Sequence, residues 1–166
     1  SNRDYNGDWK IGVVDAGGSD LTLVTKPGAV PGWEGFAAPQ WPVAWSPDAT
    51  EIAFASVIPF EGWGIFVAAA DDSGVTRHLT KVPNDGGTMA DPVWSPNGRR
   101  IAFAQSFELL PGRGKSQNDL MVVNSDGSFL TRLTDTEIDG ESGPVWSPYG
   151  QKVAYWKGFR RFDEDR

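Results

Sequence analysis

Apolar positions in this chain alternate with small or polar ones in short runs, and turn residues separate the runs. Residues 99–105 alternate and are rich in Ile and Phe, and two further apolar runs follow at 119–124 and 129–134. Turn residues bound these runs: Pro-Asn-Gly at 96–98 precedes the first, and Ser-Asp-Gly-Ser at 125–128 separates the last two. These residues favour turns because Pro fixes φ and Asn-Gly tolerates positive φ. Since no run has the length and 3.6-residue period of a helix, the pattern predicts an all-β chain of antiparallel hairpins.

A repeat organises these strands. The tripeptide Trp-Ser-Pro begins at Trp45, Trp94 and Trp146, with spacings of 49 and 52 residues. Ile-Ala-Phe-Ala follows at 52–55 and again at 101–104. Each unit contains four predicted strands, and four-stranded units repeated at roughly 40–50 residues are typical of β-propeller blades. We therefore predict a β-propeller of four-stranded antiparallel blades, with about three blades' worth in this chain, as part or half of a six-bladed or larger ring.

The landmarks also give the phase of the repeat. The predicted segments are a half blade at 9–25, a blade at 40–80, a blade at 90–134, a half blade at 143–156 and a charged tail at 157–166. The first unit has Ala49 where the second has Gly98, so we expect a different turn at that position.

The order of the landmarks resembles the TolB-like β-propeller repeat over roughly residues 9–156. That pattern is Pro-x-Trp-Ser-Pro-(Asp/Asn)-Gly-x-x-Ile-Ala-Phe, then an Asp-Gly turn and a closing Arg-Leu-Thr. The second unit matches at Pro92, Trp94, Ser95, Pro96, Asn97, Gly98, Ile101, Ala102, Phe103, Asp126, Gly127, Arg132, Leu133 and Thr134. The resemblance implies a ring of six or more blades and an exported bacterial protein, located in the periplasm or outside the cell.

Three blades do not close such a ring, and two explanations remain open. The sequence is a piece of a longer propeller, or a second copy of the chain completes the ring as a homodimer. In the homodimer, strands at 144–156 of one copy complete a blade with those at 10–25 of its neighbour.

Composition excludes several function classes. The formal net charge of −7 argues against nucleic acid, and the lack of cysteine excludes disulfides and thiolate chemistry. No apolar stretch approaches the ~18 residues of a membrane helix, so no membrane insertion is expected. The single histidine, His78, lies in a predicted fourth strand at a rim position. We therefore predict no enzyme activity in this chain, and no catalytic, cofactor-binding or metal-binding residues.

Three segments are candidates for binding. The segment 106–117 is predicted as a long loop with apolar and charged side chains, which either binds a partner or folds back onto its own blade. The acidic segment before the third Trp-Ser-Pro has two interpretations. It is a channel mouth that attracts either a cation such as calcium or a basic protein partner, or it is a solvated loop. The loop at 28–40 and the tryptophans in and beside it either stack on a sugar or pack over the channel end. The candidate residues are Phe107, Leu109, Leu110, Arg113, Asp135, Glu137, Asp139, Glu141, Trp33 and Trp41.

Three functions fit these features. The first is a non-catalytic scaffold that binds a protein partner through loops at the channel mouth. The second is the accessory propeller of a larger hydrolase that resembles the prolyl oligopeptidases. The third is a carbohydrate- or calcium-binding propeller. A fold alone does not decide between them.

Overall fold

The computed structural model describes residues 10–25, 42–58, 62–81, 87–110, 115–136 and 140–158. These ranges contain β-strands and no helix, which confirms the predicted all-β class. The strands are β1 (Gly12–Val13), β2 (Thr22–Leu23), β3 (Ala44–Trp45), β4 (Glu51–Ile58), β5 (Gly62–Ala69), β6 (Thr76–Lys81), β7 (Met89–Trp94), β8 (Arg100–Leu110), β9 (Lys115–Asn124), β10 (Thr131–Arg132), β11 (Gly140–Trp146) and β12 (Val153–Gly158).

The strands form antiparallel meanders in chain order. β1 pairs with β2, and β3 to β6 form a four-stranded sheet, the first full sheet. β7 to β10 form the second full sheet, because β8 pairs with β7 and β9, and β10 pairs with β9. β11 and β12 form a hairpin, which joins the second full sheet through one parallel pairing of Gly140 with Asn118.

The Ser and the Asp or Asn of the repeat motif build the turn between the first two strands of a sheet. The Ser46 hydroxyl donates to Asp48 Oδ1 at 2.6 Å and accepts from the Glu51 backbone N–H. Ser95 makes the same two contacts with Asn97 and Arg100. A short polar side chain that bonds nearby backbone in this way fixes a tight turn.

The turn at Ala49 does not differ from the others, so the expectation of a different turn is wrong. Ala49 has φ 58°, close to the 68° of Gly98 and of Gly150. Its backbone N–H donates to Ser46 O at 2.9 Å, as Gly98 donates to Ser95 O. The hydrogen bonds of the motif therefore hold an alanine in the left-handed region that normally favours glycine.

The second strand of each full sheet has large residues on its front face and small ones on its back face. On the second strand of the first full sheet, Ile52 and Phe54 lie on the front and Ala53 and Ala55 on the back. The back of one sheet packs against the front of the next, which gives two buried clusters. One cluster joins the first full sheet to the second, and it contains Ala53, Ala55, Ile65, Val67, Met89, Trp94, Ile101, Phe103, Met121 and Val123. The other joins the back of β1–β2 to the front of the first full sheet, and it contains Ile11, Val24, Ile52, Phe54, Phe66 and Ala68.

The motif tryptophans connect successive sheets by hydrogen bonds. The Trp94 indole N–H donates to Ala44 O, and the Trp146 indole N–H donates to Val93 O, each at 3.1 Å. Both acceptors precede the motif tryptophan of the previous sheet. Trp94 is 6% exposed and Trp146 is half-buried, and each links its own sheet to the previous one.

The described residues of the segment 106–117, which are 106–110 and 115–117, are strand rather than the predicted long loop. β8 continues to Leu110 and β9 begins at Lys115, with regular pairs from Ser106 with Asn118 to Glu108 with Ser116. The Pro-Gly pair at 111–112 led to the loop prediction, but backbone pairing extends the hairpin up to it. The first full sheet lacks this extension, because β4 and β5 have 8 residues each whereas β8 has 11 and β9 has 10.

Candidate binding site at the end of the second full sheet

One end of the second full sheet carries both the extended β8–β9 hairpin and the segment between β10 and β11. The other end carries the turns at 96–98 and 125–128. Loops that a rigid sheet presents at one end are the usual position of binding residues in β-structures. The side chains at this end therefore form the candidate site.

Asp119 is the buried centre of this end. It lies in the middle of β9, opposite Gln105, and is fully buried, although it is a carboxylate. Its Oδ2 accepts from Arg132 Nη2 at 2.5 Å and from Gln117 Nε2 at 2.9 Å, and its Oδ1 accepts from the Thr136 backbone N–H at 3.1 Å. A buried carboxylate is tolerated where such donors surround it.

Arg132 brings two of the predicted binding residues together. Its guanidinium lies 4.9 Å from the ring centroid of Phe107, within the range of a cation–π contact. The same Nη2 is 2.7 Å from Oδ1 of Asp135, and Nε donates to Thr134 O at 3.0 Å. Phe107 is half-buried and Asp135 is exposed, so Arg132 connects the base of the hairpin to the acidic segment.

Glu141 does not lie in a solvated loop, which was one of the two alternatives for the acidic segment, but is buried in β11. One carboxylate oxygen, Oε2, accepts a hydrogen bond from the Thr134 hydroxyl, which itself accepts from the Leu120 backbone N–H. The other, Oε1, is buried and has no hydrogen-bond partner among the described residues. The acidic pattern suggested solvent because four carboxylates alternate there, but pairing of β11 with its neighbours takes Glu141 inside.

We define the Arg132 cluster as the connected side chains at this end. It consists of Phe107, Gln117, Asp119, Arg132, Thr134, Asp135, Thr136 and Glu141.

The same position in the first full sheet has a different pair. Gly64 and His78 occupy the places of Asp119 and Arg132, as the pairings of β5 with β6 and β9 with β10 show. His78 Nε2 lies 3.0 Å from Thr80 O, which matches the bond of Arg132 Nε to Thr134 O. The His78 ring stacks on Phe66 with centroids 4.5 Å apart and fills the space that a side chain at Gly64 would need. One repeat therefore has a carboxylate with Arg, and the other a glycine with His.

The described residues contain few side chains that are grouped in a way that suits catalysis or metal binding. Within the described ranges no three side chains of His, Cys, Asp or Glu are grouped to hold a metal ion. His78 has an aromatic and backbone setting that fits a structural role. The part of the chain that the structure covers has no helix long and apolar enough to cross a membrane.

Several predicted binding residues cannot be placed. Leu109 and Leu110 lie in β8, and the structure describes their backbone only. Trp33, Trp41, Arg113, Glu137 and Asp139 lie outside the described residues. Of the ten candidates, the structure therefore brings together Phe107, Asp135 and Glu141.

The sequence contained a signal for the residues that were missed. Arg132 and Thr134 were identified as repeat landmarks but not as site residues, and Asp119 was not singled out. A comparison of the two units at equivalent strand positions shows the paired change from Gly64 with His78 to Asp119 with Arg132. Such a paired change between repeats indicates spatial contact.

Comparison with known proteins gives the fold and leaves the activity open. No family model matches this chain. An uncharacterized protein of Agrobacterium fabrum is 30% identical over 146 residues, which are 86% of this chain and 44% of that protein. Dipeptidyl-peptidase 5 of Porphyromonas gingivalis is 33% identical over 67 residues, 40% of this chain and 10% of that protein.

A solved structure agrees with the fold over most of the chain. A TolB-like protein from Agrobacterium tumefaciens superposes with a TM-score of 0.62 at 27% identity, covering 93% of this chain and 47% of that one. The chain therefore has a TolB-like propeller fold. It spans less than half the length of each of these three proteins.

Proposed function

We propose that this chain is a non-catalytic scaffold of the TolB-like type, which binds a protein partner through the end that carries the Arg132 cluster. The observation that carries the proposal is the convergence of Phe107 and Asp135 on Arg132 beneath the extended β8–β9 hairpin. A hairpin that extends beyond the pairing of its neighbouring strand, on a rigid polar base, is a suitable binding element, because little order is lost when a partner binds it.

The surroundings support the same end as the contact surface. Pro92 and Pro144 of the first strands β7 and β11, with Pro42 just before β3 and Trp156, line a cleft of about 390 Å³. First strands of successive propeller sheets surround the central channel, and β11, whose Pro144 lines this cleft, follows the acidic segment in sequence. A partner that contacts the β8–β9 hairpin would therefore lie beside the channel opening. We propose a periplasmic or extracellular location on the basis of the TolB-like fold.

Site-specific photocrosslinking in the source bacterium tests this proposal. A photoreactive residue is placed at Asp135, which is 80% exposed, and in a matched variant at Tyr149, which is 90% exposed. The two positions lie at opposite ends, because Asp135 precedes β11 and Tyr149 follows it. We expect a discrete crosslinked protein from position 135 and none from 149. Equal products from both positions, or none from either, would contradict the proposal.

The accessory propeller of a peptidase is the second candidate. It is favoured by the similarity to dipeptidyl-peptidase 5 over 67 residues. An acylaminoacyl peptidase of Pyrococcus horikoshii has a TM-score of 0.58, but at 13% identity this likeness shows the fold alone. Sequencing the DNA that flanks the coding segment decides this candidate. An adjoining α/β-hydrolase domain with a Ser-His-Asp triad would favour the peptidase over the scaffold.

Calcium binding remains a prediction for the acidic segment. Titration of the chain with CaCl₂ in a calorimeter tests it, with MgCl₂ as the control ion. Heat that saturates with calcium alone would support a site that includes Glu137 and Asp139, whereas no heat would remove this candidate.

A further inference from the structure

Glu141 has a buried carboxylate oxygen that no described protein group satisfies. The residue is fully buried in β11, and its Oε2 accepts a hydrogen bond from the Thr134 hydroxyl. Its Oε1 is also buried and has no hydrogen-bond partner among the described residues. A buried carboxylate is costly unless donors or a counter-charge surround it, so this oxygen requires a partner of another kind.

The charges around Glu141 do not compensate it. Arg132 is the guanidinium of the cluster, but its described ion pairs are with Asp119 and Asp135 and not with Glu141. Lys157 lies directly opposite Glu141 on β12, but it is exposed, and no hydrogen bond joins it to the buried Oε1. Within the part of the chain that the structure describes, one negative charge is therefore buried without a positive partner.

The same position in the preceding repeat shows that the fold does not need a carboxylate there. Met89 and Glu141 correspond, because each stands three residues before the first proline of its motif, Pro92 or Pro144. Met89 is 1% exposed and belongs to the buried cluster between the two full sheets. A well-packed apolar side chain in place of a buried charge is often neutral or stabilising. A carboxylate at this position therefore lowers stability unless a ligand compensates its charge.

We propose that Glu141 Oε1 binds an alkali-metal ion, Na⁺ or K⁺. Hard cations take oxygen ligands, and one positive charge balances the single uncompensated carboxylate. A divalent ion would leave an excess buried charge, and within the described ranges no three side chains of His, Cys, Asp or Glu are grouped to hold one. The Thr134 hydroxyl donates to Oε2 and accepts from the Leu120 backbone N–H, so it keeps one lone pair as a second oxygen ligand for the ion.

A small ion fits Oε1 better than other sources of compensation. The carboxylate is already covered, so a partner's side chain, or a further segment of polypeptide, would have to displace its neighbours to reach it. A buried water would satisfy a hydrogen bond but leave the charge. A bound proton would remove the charge, and the experiments separate this case from an ion. The inference rests neither on the proposed binding function nor on the calcium candidate, which concerns Glu137 and Asp139.

The first test is urea unfolding at neutral pH while KCl or NaCl replaces choline chloride at constant ionic strength. Constant ionic strength keeps the screening of surface charges equal, and choline is too large for a covered site. A single bound ion stabilises by mass action, so the folding equilibrium constant should rise about tenfold for each tenfold rise in ion concentration above the dissociation constant. An unfolding midpoint that neither KCl nor NaCl changes, as a proton or a water at Glu141 predicts, would overturn the proposal.

Two variants of Glu141 should abolish the response to the ion. Glu141→Met copies Met89, and Glu141→Gln keeps an acceptor oxygen for the Thr134 hydroxyl. In choline chloride both should unfold at a urea concentration no lower than that of the unaltered chain, because the buried charge is gone. Asp135→Asn is the matched control and should keep the full response, since this carboxylate belongs to the same cluster but is 80% exposed. A response that survives in Glu141→Gln, or is lost in Asp135→Asn, would contradict the proposed site.

The second test locates the ion directly. Crystals of the unaltered chain grown with a thallium(I) salt in place of KCl give the ion position by anomalous scattering. We expect a peak in contact with Glu141 Oε1, and no peak at that place in crystals of Glu141→Gln. Peaks at exposed carboxylates only, such as that of Asp135, or the same peak in both crystals, would overturn the assignment of the ion to Glu141.

Discussion

Asp119 and Asp135 both contact the guanidinium of Arg132, but they differ in burial and should therefore differ in energy. Asp119 is fully buried and accepts four hydrogen bonds, whereas Asp135 is 80% exposed. Asp119→Asn removes the charge. Because both carboxylate oxygens of Asp119 accept hydrogen bonds, the NH₂ group of the amide faces hydrogen-bond donors in either orientation. Breaking a buried ion pair costs about 3–5 kcal/mol. Because Arg132 is partly exposed and keeps Thr134 O and Asp135, we expect a loss near the lower limit, about 3 kcal/mol.

Asp135→Asn is the matched control. Exposed ion pairs contribute about 0–1 kcal/mol, so we expect a loss below about 0.5 kcal/mol. Urea unfolding followed by tryptophan fluorescence, at one protein concentration, gives the midpoint and the slope for each variant. A double variant with Arg132→Ala measures the coupling, and Asp119→Asn should cost about 1.5 kcal/mol less in that background. Equal losses for the two aspartates, or a loss under about 1 kcal/mol for Asp119→Asn, would refute this explanation of the Arg132 cluster.

Three further predictions concern the repeat. Hydrogen bonds from the Ser46 hydroxyl, and next from the Thr50 hydroxyl and backbone N–H, hold the pKa of Asp48 below its ordinary 3.8. Asp48 therefore stabilises the fold above about pH 3.8, and this contribution is lost as the pH falls through the lowered pKa. Asp48→Asn, which copies the natural Asn97, should fold at pH 7 but unfold with a weaker pH dependence below about 4 in acid titrations by circular dichroism; an unchanged acid limb would contradict it. Ala49→Gly should raise the free energy of unfolding by up to about 1 kcal/mol, and Gly98→Ala should lower it by about 1 kcal/mol, because both have positive φ; opposite signs in urea unfolding would contradict this. Gly64→Ala should lower the free energy of unfolding by about 1–3 kcal/mol, because its methyl group would meet the His78 ring and lie 2.9 Å from Thr80 O. The double variant with His78→Ala should recover part of that loss in urea unfolding, and no recovery would show that the clash is elsewhere.

Periodicity was sufficient to predict the all-β class of this fold. The alternation of Ile52, Ala53, Phe54 and Ala55 determines both the strand and its two faces, because successive side chains point to opposite sides of a sheet. The motif turns also follow from local chemistry, since the Ser46 hydroxyl hydrogen-bonds only residues within five positions of it, the Asp48 side chain and the Glu51 backbone. These features depend on neighbours in sequence.

The Arg132 cluster depends on contacts between separate strands and could not be predicted by local patterns. Asp119 looks like an ordinary polar residue at the start of a strand, and only the pairing of β9 with β10 brings Arg132 to it. Glu141 lies in an acidic segment that indicates solvent, yet strand pairing buries it. The extended hairpin was missed for a related reason, because Pro111 and Gly112 indicate a turn without telling how far the flanking strands pair.

The most direct test of the binding function compares three purified forms of the chain as bait in extracts of the source organism. The first is the unaltered chain, and the second has residues 108–116 replaced by Asn-Gly, a two-residue turn that suits the paired Phe107 and Gln117. The third is Tyr149→Ala at the opposite end, and all three must show the same urea midpoint. The account predicts a protein that the unaltered chain and Tyr149→Ala retain and that the shortened hairpin loses. Equal retention by all three forms would contradict it.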